Sequence, residues 1–147
     1  MQIDTYTPFN PLSISETDAV RDFLHTHLDQ YGDTLSAIQK ALDYAAGTPP
    51  RHGGHIIVAR DTDSNEVIGV VVVNKTGMDE YIPENILVYI AIHNDHRGKG
   101  IGRKIMEQAI KESTGDIALH VEKDNPARFL YEKLGFTNPY IEMRLKR

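Results

Sequence analysis

The sequence has no cysteine among its 147 residues. Disulfide bonds, thiolate nucleophiles and thiolate zinc sites are therefore excluded. Histidine is present, but no spacing makes a convincing metal site. His25 and His27 stand two residues apart in a predicted helix and face different directions, while His52 and His55 flank two glycines in a segment typical of a solvated loop. We expect no bound metal.

Long apolar segments are also missing. No apolar run is longer than residues 86–92, which is far short of the ~20 residues that span a membrane. Residues 1–11 have neither a basic region nor an apolar run, which is unlike a signal peptide. We therefore expect a cytoplasmic protein that does not bind membranes.

The net charge and the organisation of the chain further restrict the class of protein that the sequence can encode. The formal net charge of −5 argues against general nucleic-acid binding. No repeat, low-complexity tract or linker interrupts the chain, and its length suits one folding unit. We expect a single domain over residues 1–147.

The most informative segment joins a predicted strand over residues 86–93 to a helix in which Ile101, Ile105 and Ala109 stand four apart. The junction reads HNDHRGKGIG, and its glycines at 98, 100 and 102 remove Cβ atoms that would keep a ligand from the backbone. Unpaired N–H groups and the dipole at a helix start favour phosphate. Five basic residues crowd this segment of an acidic chain: His96, Arg97, Lys99, Arg103 and Lys104. The junction predicts an anionic ligand.

Two common phosphate motifs are excluded here. No GxxxxGK[ST] can be drawn, and the third glycine of a dinucleotide fingerprint would fall at Arg103. What remains, Arg97-x-x-Gly100-x-Gly102, resembles the [QR]-x-x-G-x-[GA] signature of the GNAT superfamily of acetyl-CoA-dependent N-acetyltransferases. Residues 125–136, NPARFLYEKLGF, resemble the last helix of the same family. Together the two resemblances span about the C-terminal half of the chain.

The rest of the pattern predicts an α/β fold. Asn125 and Pro126 start the last helix and Gly135 ends it, and Ser15 is the expected N-cap of the first helix. The other predicted elements are a short strand within 2–9, helices around 20–31 and 35–45, a hairpin of strands at 55–60 and 66–74, and strands at 117–122 and 140–145. The resemblance implies a GNAT-type mixed sheet with helices on both faces, in which strands 86–93 and 117–122 are parallel and splay apart to admit the cofactor.

The resemblance also implies the cofactor contacts. Acetyl-CoA is the expected cosubstrate. Backbone groups of Ile90, Ala91 and Ile92 would align its pantetheine and acetyl groups, and Asn125 would contact the pantetheine. The pyrophosphate would lie on the turn formed by Arg97, Gly98, Lys99, Gly100, Ile101 and Gly102.

Tyr131 falls where the family has the tyrosine that serves as an acid toward the departing thiolate. Its hydroxyl is the one donor on that helix suited to the task. The alternative is an aromatic ring packed beside Ala127 and Leu134 with an idle hydroxyl. Within this motif we favour the functional interpretation.

The general base is less clear from the sequence. His120 stands between Leu119 and Val121, where some family members carry a glutamate, and an imidazole can accept a proton near neutral pH. Its face of the strand is opposite the apolar one, so it points either to the site or to solvent. The alternatives that stay open are His93, Glu84, Glu80 and an ordered water.

The expected reaction moves an acetyl group to a primary amine of a small molecule or a protein, by direct attack in a ternary complex. By position, the helices before the hairpin resemble the family's acceptor pocket. Residues 136–140 are short for the family, so the pocket is either open or completed by a second subunit in a homodimer. A different class stays open, which is a non-catalytic acyl-CoA sensor or scaffold of the same fold.

Overall fold

The sheet orders its five strands as they follow one another in the chain, β1-β2-β3-β4-β5. The computed structural model describes residues 1–147. The strands are β1 (Gln2–Tyr6), β2 (Gly54–Arg60), β3 (Val67–Lys75), β4 (Asn85–Ile92) and β5 (Ile117–Leu119), and the helices are α1 (Ile14–His27), α2 (Leu35–Ala45), α3 (Ile101–Glu112) and α4 (Ala127–Lys133). Neighbours from β1 to β4 are antiparallel, and β4 and β5 are parallel. The predicted order of strands and helices is thereby confirmed as far as α4.

Helices cover both faces of the sheet. Val70 and Val72 of β3 pack with α1 and α2 in one core, and Val71 and Val73 pack with α3 and α4 in the other. All four valines are fully buried. Successive strand residues point to opposite faces, so one strand contributes about 1.5–3 kcal/mol per buried side chain to each of two layers. None of the helices is long and apolar enough to cross a membrane.

The first helix begins two residues earlier than its sequence suggested. Ser13 caps α1: its hydroxyl accepts from the N–H of Glu16 at 3.1 Å, and the Glu16 carboxylate accepts from the N–H of Ser13 at 2.9 Å. This reciprocal pair is a capping box, and its hydrogen bonds lower the pKa of Glu16. The expectation of a cap at Ser15 is wrong. After α1 the chain forms a short 3-10 helix, Asp29–Tyr31, instead of continuing as one helix to residue 31.

An extra residue interrupts β4. Val72 lies opposite Tyr89 and Val73 lies opposite Leu87, so Val88 has no partner in β3 and forms a bulge. Leu87 and Tyr89 consequently belong to different cores, the former with α3 and the latter with α1 and α2. The bulge lies where β5 leaves its neighbour, because β5 pairs only with residues 85–87 of β4. The strand predicted over 117–122 is therefore shorter, ending at Leu119.

The predicted last strand, 140–145, is wrong. No strand forms after α4, and the apolar side chains of the segment are exposed, with Tyr140, Ile141, Met143 and Leu145 between 79% and 90% accessible. The alternation of apolar and charged residues suits a strand, but a strand also needs an edge with which to pair. The edge beyond β4 belongs to β5, which has only three residues and so offers few backbone hydrogen bonds to a further strand, and it stays unpaired.

His55 is another correction. The strand predicted at 55–60 is confirmed and includes His55, but the expectation of a solvated side chain is wrong, since His55 is 3% exposed and its Nε2 lies 3.2 Å from the Ser113 hydroxyl. Burial lowers the pKa of His55. It lines a polar cavity of about 310 Å³ with Lys75 and Glu112. This cavity lies at the start of β2 and the end of α3, away from the glycine turn at the start of α3.

Candidate active site

A gap opens between the two parallel strands. Beyond Leu87, β4 keeps β3 on one side, where Ile90, Ala91 and Ile92 continue the antiparallel ladder. On its other side the strand has lost β5. Backbone N–H and C=O groups that point away from β3 are therefore free to bond an extended ligand, because an unpaired strand edge is a template for one more strand.

The glycine-rich turn follows directly. A short 3-10 helix, Asn94–His96, leads from β4 to the turn. Gly98 and Gly100 both have φ of +78°, and a Cβ added to either would meet no atom within 4 Å. Lys104 is the first residue of α3 whose N–H finds a helical acceptor, the Gly100 oxygen at 3.3 Å. The N–H groups of residues 101–103 are unpaired and border open space, an arrangement that accommodates phosphate.

Two residues of the predicted cradle also serve packing. A Cβ on Gly102 would lie 3.3 Å from Leu130 Cδ2, so this glycine admits α4 close to α3. Ile101 is 6% exposed, with its side chain in the core. Only the backbone of these two positions faces the turn, whereas the sequence had suggested that Gly102 acts as Gly98 and Gly100 do.

The basic residues of the turn differ in whether their side chains already have a partner within the protein. Arg97 donates from Nη2 to the backbone oxygen of His27, the last residue of α1, at 3.0 Å. Arg103 pairs with Glu107 of its own helix at 2.9 Å. Lys99 and Lys104 are exposed and take part in no ion pair or hydrogen bond. The two lysines are thus the available charges for an anionic group at the turn.

Tyr131 and Asn125 lie on the α3 side of the sheet. Tyr131 is 6% exposed and its ring centroid lies 5.9 Å from that of Phe136. Burial raises its pKa to about 12, and its hydroxyl has no protein partner. The Asn125 side-chain oxygen accepts from the N–H of Ala127, the first residue of α4, at 2.9 Å, although the N-cap position itself is Pro126 and not the predicted Asn125. Its amide nitrogen remains free to donate.

The comparison with known families bears on this geometry. The family model of the acetyltransferase (GNAT) domain matches residues 52–138, more than half of the chain. The chain belongs to the GNAT acetyltransferase family. It is accordingly an acetyltransferase, and acetyl-CoA is the donor that this family uses. No curated protein matches the sequence.

Solved structures of GNAT proteins share the fold. A ribosomal-protein-alanine N-acetyltransferase from Brucella melitensis biovar Abortus 2308 aligns with a TM-score of 0.67 at 16% identity, over 100% of both chains. An aminoglycoside 6′-N-acetyltransferase from Acinetobacter haemolyticus gives 0.67 at 15%, over 100% of this chain and 98% of that one. A NatC complex bound to Gag peptide and CoA gives 0.64 at 23%, over 98% and 87%. The predicted GNAT-type mixed sheet is confirmed.

The candidate bases of this GNAT chain lie at different ends of the gap. His120 follows the last residue of β5, is exposed and has no hydrogen-bond partner. Glu84 precedes β4, where its carboxylate accepts from the N–H of Asp116 at 3.0 Å. Glu80 is exposed in the loop before β4. Of these three, only His120 lies beyond the paired part of the two strands, on the side where the gap opens.

A stack of histidines, which the sequence did not predict, borders the turn. The ring centroids of His27 and His93 lie 4.3 Å apart, and those of His93 and His96 lie 5.3 Å apart. The N–H of Asn94 donates to His27 Nδ1 at 3.2 Å, and that of Asp95 donates to His93 Nδ1 at 3.1 Å. His27 comes from α1, so proximity in sequence could not reveal the stack. No group of three or more His, Asp or Glu is arranged to hold a metal ion.

Proposed function

We propose that this GNAT protein is an N-acetyltransferase that moves the acetyl group of acetyl-CoA to a primary amine of a small molecule or a protein. The observation that carries the proposal is the open turn at Gly98 and Gly100, with unpaired N–H groups, beside the unpaired edge of β4. Relatives of the same fold named as N-acetyltransferases, and one bound to peptide and CoA, support it.

The donor would lie along the chain's free backbone groups. The N–H groups of residues 101–103 and the Lys99 ammonium suit the pyrophosphate. The free edge of Ile90, Ala91 and Ile92 suits the amides of pantetheine, and the Asn125 amide can donate to the same arm. Arg97 would act through the shape of the turn, since its guanidinium is bonded to α1.

The acceptor would attack directly in a ternary complex. The neutral amine nitrogen forms a bond to the carbonyl carbon, the C–S bond breaks, and CoA leaves as a thiolate. An N–H of the free edge of β4 beside Val88 would donate to the carbonyl oxygen as charge develops on it. The Tyr131 hydroxyl, kept protonated by its raised pKa, would donate to the sulfur. The proton lost by the amine would go to His120, or alternatively to His93 or water.

Two measurements test the proposal. Calorimetry should show that CoA binds much more tightly than pantetheine, because only CoA carries the pyrophosphate that the turn would hold. Release of free thiol from acetyl-CoA should depend on an added amine, with an acetylated amine found by mass spectrometry. Equal affinity for CoA and pantetheine would contradict the turn assignment. Tight CoA binding without transfer to any amine of a broad panel would favour a sensor.

The assembly is part of the same proposal. Residues 1–147 would act as one acetyltransferase domain in the cytoplasm, and two copies would form a homodimer. The exposed alternation of Ile141, Met143 and Leu145 and the unpaired outer edge of β5 support the dimer, since each can pair with the other between copies. Light scattering after size-exclusion chromatography should give twice the monomer mass, and Met143→Lys should shift it to the monomer. A monomeric wild-type protein would contradict the dimer.

A further inference from the structure

A short hydrogen bond joins β4 to the segment between α1 and α2. The Tyr89 hydroxyl donates to Asp33 Oδ2 at 2.6 Å. Tyr89 is 7% exposed, whereas Asp33 is exposed. Burial and the nearby Asp33 raise the pKa of Tyr89 well above its ordinary value, which keeps its hydroxyl a donor. A buried ring thus fixes a carboxylate at the surface.

Asp33 has no cation of its own. It takes part in none of the ion pairs of the chain, whereas Asp4 and Glu16 both pair with Arg60. One of its oxygens is held by Tyr89, and Oδ1 has no partner. A fixed, accessible carboxylate with a free oxygen is suited to receive an ammonium group.

The position of Asp33 relates it to the gap. Tyr89 follows the bulge at Val88, where β4 and β5 separate. Its side chain leaves the sheet on the face covered by α1 and α2, opposite to α3, α4 and Tyr131. The Tyr31 hydroxyl donates to the backbone oxygen of Asp124 at 3.3 Å, so residues 31–33 reach from β4 to the loop after β5. Asp33 therefore lies on the rim of the gap, on the face away from the donor cradle.

We infer that Asp33 binds a second positive charge of the acceptor, remote from the amine that is acetylated, and that Tyr89 positions it. Asp33 lies one tyrosine side chain and one hydrogen bond away from the β4 backbone, where the acetyl group would lie. A single amino group cannot reach both places, but a diamine several bonds long can. The substrate class is therefore a dicationic or polycationic amine. The inference rests on the proposed N-acetyltransferase activity.

Steady-state kinetics with diamines and length-matched monoamines test the inference. A series of diaminoalkanes of increasing length is compared with monoamines of the same lengths. The wild type should prefer diamines of one length range, and Asp33→Asn should raise their KM roughly three- to fivefold, the scale of an accessible ion pair, with little change in kcat. Monoamine kinetics should be unchanged. Tyr89→Phe, which keeps the ring, should raise the diamine KM by a smaller factor.

Two further variants separate this role from a structural one. Asp33→Glu keeps the charge but lengthens the side chain by one methylene, and it should change the preferred diamine length without abolishing the preference for diamines. Asp18→Asn removes a charge from the same helical layer and should leave the preference unaltered. Equal use of monoamines and diamines, or an unchanged preference in Asp33→Asn, would overturn the inference while leaving the transferase proposal intact. Absence of transfer to any amine would instead count against the transferase.

Discussion

The guanidinium of Arg97 lies 3.0 Å from the backbone oxygen of His27, with Nη2 donating. Arg97 is the first residue of the family signature and His27 is the last residue of α1, 70 positions earlier. A carbonyl in the last turn of a helix has no partner within the helix, and a cation there also suits the dipole. The contact therefore secures the glycine turn to the opposite layer of the fold.

Replacing Arg97 should loosen the turn without removing a phosphate contact. Arg97→Ala loses a charged hydrogen bond of about 1.5–3 kcal/mol, so acetyl-CoA affinity should fall by about tenfold. The thermal midpoint of unfolding should fall as well. Lys99→Ala should weaken affinity with little change in unfolding, and it should reduce the salt dependence of binding. Calorimetry of acetyl-CoA binding at two salt concentrations distinguishes the two variants. A reduced salt dependence in Arg97→Ala would show that Arg97 contacts the anion directly.

The histidine stack gives a pH dependence of stability. Burial, with His93 and Arg97 nearby, lowers the pKa of His27 below its ordinary 6.5. The unfolded chain therefore takes up a proton at higher pH than the folded one, so stability is fully present above about 6.5 and falls as the pH drops below it. His55 acts in the same direction. Protonation of His27 also removes the acceptor of the Asn94 N–H.

Thermal unfolding measured from neutral pH to about pH 5 checks this dependence. The variant His27→Gln should flatten part of the slope, and the part due to His55 should remain. His25→Gln, at an exposed position on the same helix, serves as the control and should match the wild type. An unchanged slope in His27→Gln would contradict the assignment.

Gly100→Val should weaken acetyl-CoA binding by at least about tenfold, because a branched side chain would occupy the open space at the unpaired N–H groups. The left-handed φ at this position adds a strain of roughly 1–2 kcal/mol. Gly135→Val is a matched control, since Gly135 also has a positive φ, of +97°, and no atom near an added Cβ. Both variants should lose stability by calorimetry, but only Gly100→Val should lose affinity. Equal affinities would reject the cradle.

Tyr131→Phe should reduce kcat by roughly tens to thousands of fold, the range for a lost proton donor, with little change in acetyl-CoA affinity. Because its pKa is raised to about 12, Tyr131 should cause no loss of activity on the alkaline side up to about pH 10. Tyr44→Phe, which removes a hydroxyl bonded to the Lys75 oxygen, is the control. A full kcat in Tyr131→Phe would identify a packing residue and strengthen the sensor interpretation.

His120→Ala should cost little stability, since the side chain is exposed and makes no hydrogen bond. If it is the general base, the variant should lose the acidic limb of the pH–rate profile while acetyl-CoA affinity stays the same. His93→Gln provides the comparison. A pH–rate profile of unchanged shape in His120→Ala would indicate that His93 or water is the general base.

Most of the framework could be predicted because the sequence period was strong. Ile101, Ile105 and Ala109 marked α3, and β-branched residues marked β3 and β4. The capping box was also readable, since Ser13 and Glu16 have its spacing, whereas Ser15 has only the right residue type. The backbone of the glycine turn could also be placed from the sequence, because glycines directly before a helix have few uses other than to leave the backbone accessible.

Other features depend on contacts that no local pattern encodes. Val88 stands among residues that all favour strands, so nothing in their order indicated a bulge. Residues 140–145 alternate well, yet alternation does not supply a pairing partner. Asp33 is an ordinary loop aspartate until the fold brings the Tyr89 hydroxyl to it. Long-range pairs of this kind become visible only when the layers are assembled.

The single extra residue at Val88 gives β4 two separate roles. Since Leu87 and Tyr89 would otherwise point the same way, the bulge lets one strand offer its backbone to a donor and a tyrosine to the opposite layer. In the proposed arrangement, the residues that select the acceptor lie in a segment that can be exchanged without changing the donor site. Grafting a different 29–34 segment would change what Tyr89 touches and leave the α3 layer as it is. Selection for new substrates, in nature or in the laboratory, can therefore act on that loop without rebuilding the acetyl-transfer machinery.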